Sequence, residues 1–239
     1  MNPVWTPDGR YIVFSGKGGG IFLTRSDGAG KPQPLTQSKN RQVPYSVTPD
    51  AKRLAWQEQG SGGFDLWTMP LESDGAGLRG GKPEVFLQTA FDERIPKFSP
   101  DGRWLAYASN ESGSFQVYVR AFPDKGGKWQ ISNGGGSFPV WSHNGRELFF
   151  RSGDSRIMVA AYAAKGDSFV TDQPKVWSEK QLADFGVAGG STYDVAPDGK
   201  RVAALMPVET PENQQAQSHV IFLENFFDEL RRKVPLNGK

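Results

Sequence analysis

The sequence predicts an all-β chain: a β-propeller of about five four-stranded blades with a short C-terminal α-helix. Three observations predict it. A Pro-Asp-Gly-type turn between short apolar runs recurs five times. The copies lie about 40–50 residues apart, the period of a propeller blade. After each turn there is room for further short runs of alternating character, the mark of half-buried strands.

The fullest copy is Pro96 to Tyr107, with Ser99-Pro100-Asp101-Gly102 at its centre. Pro presets φ at the second turn position, Asp bonds nearby backbone, and Gly closes the turn. The aromatic and apolar run Arg103 to Tyr107 follows as a strand, so the unit opens with a β-hairpin. The other copies are Pro3 to Phe14, Pro44 to Trp56, Pro139 to Phe150 and Tyr193 to Val202. Their turn Asp or Asn falls at 8, 50, 101, 144 and 198, giving steps of 42, 51, 43 and 54 residues. Glu72 to Gly77 accounts for the first long step, and the stretch Gln181 to Gly190 is expected to account for the second.

Later strands follow in order. The first unit offers Gly20 to Arg25 and Lys31 to Leu35. The second offers Phe64 to Met69 and Pro83 to Leu87, and the third Phe115 to Arg120 and Lys128 to Ser132. The fourth offers Arg156 to Tyr162 and Pro174 to Trp177. Each unit thus reads as antiparallel strands A to D. The Pro that opens strand A stands where a missing N–H does least harm, and strand A is expected to line a central channel. The fifth unit has A, B and a C strand at Ser218 to Leu223, but no evident D. A helix follows at 225–233. Asn225 is its N-cap and Asp228 the capping-box partner. Phe226, Phe227 and Leu230 form its apolar face, and Pro235 stops it. The single domain divides into blades at 1–38, 39–89, 90–134, 135–188 and 189–223.

The repeated W/F-S/T-P-D-G-R-x-L/I-A/V-F/Y pattern resembles the TolB-type propeller repeat. Phe98 to Val119, Trp129 to Gly135, Pro139 to Arg151 and Leu223 to Leu230 together resemble the C-terminal propeller of bacterial receptor-type serine/threonine kinases. That resemblance covers nearly the whole chain. It implies a sensor module which, in a kinase of this kind, lies beyond a membrane helix and outside the cytoplasm. The kinase signatures themselves are absent from the sequence: there is no Gly-rich loop, no His-Arg-Asp and no Asp-Phe-Gly. Repeats of this type specify a fold rather than a task.

Composition narrows the choices. The chain has 239 residues, a formal charge of +2 and no basic run, so nothing points to nucleic acid. Without Cys there is no disulfide, zinc thiolate or thiol catalysis. No apolar run approaches a membrane span, and Met1 leads straight into the first hairpin, so the chain as given is expected to be soluble and without a leader. Trp5, Trp56, Phe98, Trp104, Trp141 and Phe149 are expected in the core between blades, with Trp67, Trp129 and Trp177 packing between neighbours.

Propeller ligands bind at the channel mouth, where loops lead from strand D into the next strand A. These loops carry Asn40, Arg41 and Gln42; Asp92, Glu93 and Arg94; Gly135, Gly136 and Ser137; and Gly189, Gly190 and Ser191, with Asn2 beside them. The ligand-binding candidates are Arg41, Gln42, Asp92, Glu93, Arg94, Ser137 and Ser191. The plainer reading of the same residues is a solvated rim of internal acid–Arg pairs. A hard cation such as calcium would need oxygen ligands from several blades. Asp92, Glu93, Gln42 and Asp194 are the candidates, though Arg41 and Arg94 among them would repel it. The turn aspartates are structural. His143 takes the turn-Pro position of the fourth repeat, and His219 opens strand C of the fifth. No G-x-S-x-G elbow exists, and Ser15 to Gly20 reads as a hairpin turn. The first reading is a binding or sensor module for a small molecule or protein at the channel mouth. The alternative is a metal-dependent hydrolase of phosphotriesters, lactones or activated esters. A homodimer is expected, because a missing outer strand would leave a sheet edge open.

Overall fold

The structure, a computed structural model, describes residues 3–74, 77–186 and 190–207. The strand expected at 218–223, the helix at 225–233, Asn2, Gly189 and His219 lie outside the described residues. The described chain is all β, in consecutive antiparallel sheets.

The first sheet contains β1 (Val4–Trp5), β2 (Tyr11–Ser15), β3 (Ile21–Arg25) and β4 (Gln33–Pro34) in that order. The second contains β5 (Gln42–Val47), β6 (Arg53–Gln59), β7 (Phe64–Asp74) and β8 (Gly77–Gly80), with β9 (Glu84–Leu87) also on β7. The third is β10 (Glu93–Phe98), β11 (Trp104–Ser109), β12 (Gln116–Ala121) and β13 (Lys128–Gln130). The fourth is β14 (Gly136–Trp141), β15 (Glu147–Ser152), β16 (Arg156–Lys165) and β17 (Ser168–Thr171), with β18 (Lys175–Gln181) also on β16. In the fifth, β19 (Tyr193–Val195) pairs with β20 (Val202–Ala204).

The repeated turn works as a local lock. In the first blade the Thr6 hydroxyl donates to Asp8 at 2.6 Å and accepts from the Tyr11 N–H at 3.1 Å, while Asp8 accepts from the Arg10 N–H. Thr48 and Asp50, Ser99 and Asp101, and Ser142 and Asn144 repeat the pattern, each pair at 2.6 Å. The hydroxyl bond holds the Asp8 and Asp50 carboxyls below their usual range. In the fifth copy Ala196 replaces the hydroxyl, and Asp198 keeps its bond to the Lys200 N–H and its pairing with Arg201. The position after the acid has positive φ, which Gly adopts without cost at 9, 102, 145 and 199. Ala51 adopts it at 58° with a Cβ penalty.

Both long steps in the repeat contain hairpin arms. β7 runs on past Pro70 and pairs Leu71–Asp74 with β8, and Leu78 of this arm packs with Val13 and Leu23 of the first blade. β16 likewise runs on and pairs Tyr162–Lys165 with β17, carrying Phe169 onto the third blade. This arm supplies extra length to the fourth unit, which the sequence assigns to the 181–190 stretch alone. Both arms reach back over the preceding blade, where they cover apolar strand faces that a plain four-stranded blade leaves open.

Trp56, Phe98, Trp104, Trp141 and Phe149 are buried as expected, whereas Trp5 is 57% exposed. Trp141 shows why. Its indole N–H donates to the Lys97 carbonyl of the preceding blade at 2.9 Å. Trp5 occupies the same repeat position, and no earlier blade precedes it among the described residues.

Candidate functional site

Strand A of each sheet sends one residue to the channel: Val4, Tyr45, Lys97, Val140 and Asp194. Four of them stand four residues before the turn Asp or Asn, whereas Tyr45 stands five before Asp50 and Ser46 holds the equivalent position. The Pro expected to open strand A lies inside β5, β10 and β14, because each strand begins two or three residues earlier, ahead of its bulge. Three of the five are apolar or aromatic, and two carry opposite charges. The strands reach this position through bulges, with register shifts between Pro44 and Ser46, Arg94 and Lys97, and Ser137 and Val140. A bulge re-aims the side chains that follow it. Ile95 and Phe138 adopt φ of 61° and 52° there, unusual for residues with a bulky Cβ. Their partners hold them in place. Gln57 accepts from the Ile95 N–H at 3.0 Å, and the Tyr193 hydroxyl donates to the Phe138 carbonyl at 2.7 Å.

Tyr45, Lys97, Val140 and Asp194 form a waist shared by two cavities. The upper cavity, about 620 Å³, opens at the strand-A starts and is walled by Ile95, Phe138, Ser191, Thr192 and Tyr193. The lower one, about 710 Å³, opens among the turns at Pro7, Pro49, Pro100 and His143. At the waist the Lys97 ammonium donates to the Tyr45 carbonyl at 2.9 Å. Burial lowers its pKa and the Asp194 charge raises it in part. One oxygen of Asp194 accepts from the Val195 N–H at 2.9 Å.

Three blades each place an arginine over an aromatic ring close to residues of the upper cavity, though none of the three lines it. Arg41 and Arg94 lie 5.9 and 4.7 Å from the Phe64 centroid, and Arg151 lies 4.9 Å from that of Phe138. Burial pushes the Tyr45 hydroxyl up to about 12, while the charges of Arg94 and Arg41 pull it back. Arg94 is held bidentate by Asp92 at 2.9 Å, and buried Arg151 pairs with Asp184 at 2.8 Å. Arg41 is exposed and has no carboxylate partner among the described residues.

The remaining sequence candidates divide between rim and seam. Ser191 is exposed on the upper cavity, and its hydroxyl donates to the Tyr193 carbonyl at 2.7 Å. Ser137 is buried in β14 opposite Arg151. Asp92 accepts from the Phe64 N–H at 2.9 Å, so it ties two blades together as well as holding Arg94. Gln42 is buried; it accepts from Thr36 and donates to Glu58 at 2.6 Å. Glu93 stands at the same repeat position and is 1% exposed. One of its oxygens accepts from Thr89 at 2.5 Å, and the other is buried without a partner. Asp194, the fourth cation candidate, is at the waist with Lys97. Among the described residues no three of His, Cys, Asp and Glu converge as metal ligands would.

Sequence reading missed Lys97. The signal was present, since the position four residues before the turn Asp or Asn is Val, Ser or Val in three copies and charged in two.

No known protein family's sequence profile matches the chain. Solved structures share its fold. A TolB candidate from Agrobacterium tumefaciens superposes with a TM-score of 0.51 at 18% identity, over 73% of this chain and 80% of that one. TolB from Acinetobacter baumannii gives 0.52 at 20% identity, over 84% of this chain and 53% of that one. A 6-phosphogluconolactonase candidate from Bacteroides uniformis gives 0.53 at 15% identity, over 84% and 62%. The chain thus spans only about half the length of the Acinetobacter protein. These likenesses show a TolB-type β-propeller fold. Proteins of different description share it, so the fold alone assigns no task.

Proposed function

We propose that this chain is a non-catalytic binding or sensor propeller, the module of a receptor-kinase-like parent, which takes a small molecule or protein at the mouth of its channel. The observation that carries the reading is the upper mouth, where side chains of several blades converge on one cavity whose wall includes Tyr45, in the field of Arg94 and Arg41, and Phe138, under Arg151. Such a mouth suits an anionic or polar group on the ligand. Arg41, Arg94, Ser137 and Ser191 contact the ligand, while Asp92, Glu93 and Gln42 hold them in position. Arg41 is the most available contact, because forming one breaks no internal ion pair. The hydrolase reading needs a cation on Asp92, Glu93, Gln42 and Asp194. Three of these already serve seam contacts, so binding without catalysis is the simpler use of the same residues.

The test is ligand-observed NMR with a library of small carboxylates, phosphates and neutral heterocycles. Hits should compete with one another and weaken at least about fivefold in Arg41→Glu, a change of ~1 kcal/mol. Ala204→Trp, which plugs the cavity from an exposed position on β20, should abolish them. Hits indifferent to both changes would remove the channel mouth as the site.

We also propose that the chain associates as a homodimer. The fifth unit shows no evident D strand in the sequence, and Trp5 stands exposed on β1. An open edge and a bare indole favour association with a second copy. Light scattering at micromolar concentration should give twice 26.3 kDa, and Trp5→Glu should shift it toward the monomer. A monomer mass for the unaltered chain would refute association.

A further inference from the structure

We propose that the upper channel cavity binds a small zwitterion: a free α-amino acid, or a similar compound carrying both a carboxylate and an ammonium group, with an apolar side chain. The inference rests on the channel-mouth reading and specifies its ligand. The waist joins strand-A residues of four blades. Tyr45 and Val140 are aromatic and apolar, while Lys97 and Asp194, which stand at the same repeat position, place one ammonium and one carboxylate at the cavity. The two charges form no ion pair with each other among the described residues.

Both charged groups have bonding capacity to spare. An ammonium has three donors, and Lys97 spends one on the Tyr45 carbonyl. Asp194 spends one oxygen on the Val195 N–H. A third polar group also lacks a partner. Thr192 lines the same cavity at 2% exposure, and its buried hydroxyl makes no hydrogen bond. The hydroxyls of Ser191 and Tyr193 on the same wall are already donated to backbone carbonyls, and Ile95, Phe138, Val140 and Leu205 give it an apolar face. A volume of about 620 Å³ is in the range of small-molecule sites.

The charge pattern selects among ligands. A simple anion would satisfy Lys97 but meet Asp194. A simple cation would do the reverse, and a neutral apolar compound would give neither charge a partner and would cover the Lys97 ammonium. A zwitterion answers both, with its carboxylate toward Lys97, its ammonium toward Asp194 and its side chain against Phe138 and Ile95.

The experiment exposes the full chain to each common L-amino acid at about 5 mM and reads thermal stabilisation, which measures binding by mass action. Calorimetry then compares the strongest hit with its decarboxylated amine and its deaminated acid. At least one apolar amino acid should bind saturably, and each single-charge analogue should bind at least about tenfold more weakly. Asp194→Asn, at an exposed side chain, should lose about tenfold. So should Lys97→Met where it folds, and Thr192→Val should lose a few-fold. The inference is overturned if no amino acid binds, if one single-charge analogue matches the parent, or if Asp194→Asn changes nothing. An acid that binds alone and is lost in Ala204→Trp would refute the zwitterion and leave the channel-mouth reading standing.

Discussion

Replacing Phe169 with alanine is expected to destabilise the protein by about 3–5 kcal/mol, the range for removing a fully buried aromatic ring. Phe169 is 2% exposed, although it lies on a hairpin arm. Its ring stacks on Tyr162 at 5.2 Å and meets Trp104, Trp129 and Trp141 at 4.9, 5.8 and 6.1 Å. These five rings join the third and fourth blades, and the arm is the clasp between them. The polar contacts of the arm tip, the Arg103 guanidinium to the Gly166 carbonyl and the Lys125–Asp167 ion pair, are exposed and worth little. The loss should therefore come from the ring. Denaturant unfolding measures it, and Phe169→Leu should recover about half by refilling the cavity. A loss under about 1 kcal/mol would mean that the arm is not part of the core.

Glu93→Gln is expected to stabilise the protein at neutral and alkaline pH and to have almost no effect at pH 4. Burial pushes the Glu93 carboxyl up to about 7; the Thr89 hydroxyl pulls it back, and the charges of Asp65, Glu111 and Asp92 add to the rise. A carboxyl with a raised folded-state pKa folds more readily protonated. Below the unfolded value near 4.5 the penalty is absent. It grows as pH rises toward 7, and above that it is fully present. The span corresponds to a few kcal/mol, about 2–3. Glutamine removes the charge, and the second blade shows that it fits the position. Gln42 there accepts from Thr36 and donates to Glu58. At position 93 the new amide would face Asp65, Asp92 and Glu111, which accept hydrogen bonds. Urea midpoints of both proteins from pH 4 to 8 test this. Parallel curves would show that Glu93 is ionised without cost.

The hairpin turns were legible because their physics is local. A hydroxyl, a Pro, an Asp and a positive-φ residue lie within a few positions of one another, and the hydroxyl–acid bond recurs at 2.6 Å in four copies. The arms were not legible in the same way. Nothing within Leu71 to Gly80 or Tyr162 to Thr171 shows whether a strand ends or continues, since that depends on an apolar face in another blade. The Ala-Tyr-Ala-Ala run at 161–164 alternates too weakly to announce a strand. The rim was half legible. Asp92-Glu93-Arg94 was found as a charged segment, but one acid clamps the arginine, the next is buried at a seam, and only Arg41 stands free near the mouth.

The sequence by itself determined the repeat, its period, the order of strands and the residues of each strand A, because short-range turn chemistry and strand alternation are written residue by residue. Tertiary structure alone decided which of those residues meet. Lys97 and Asp194 are 97 positions apart and face one waist because each strand bulges just before it reaches the channel, or lies at the same radius in its own sheet. Glu93 and Gln42 stand at equivalent positions, yet one is a buried acid beside other acids and the other a satisfied amide. The difference lies in which carboxylates and hydroxyls the neighbouring blade brings within hydrogen-bonding distance. That follows from blade packing, where contacts span tens of residues, and no local pattern in the chain encodes it.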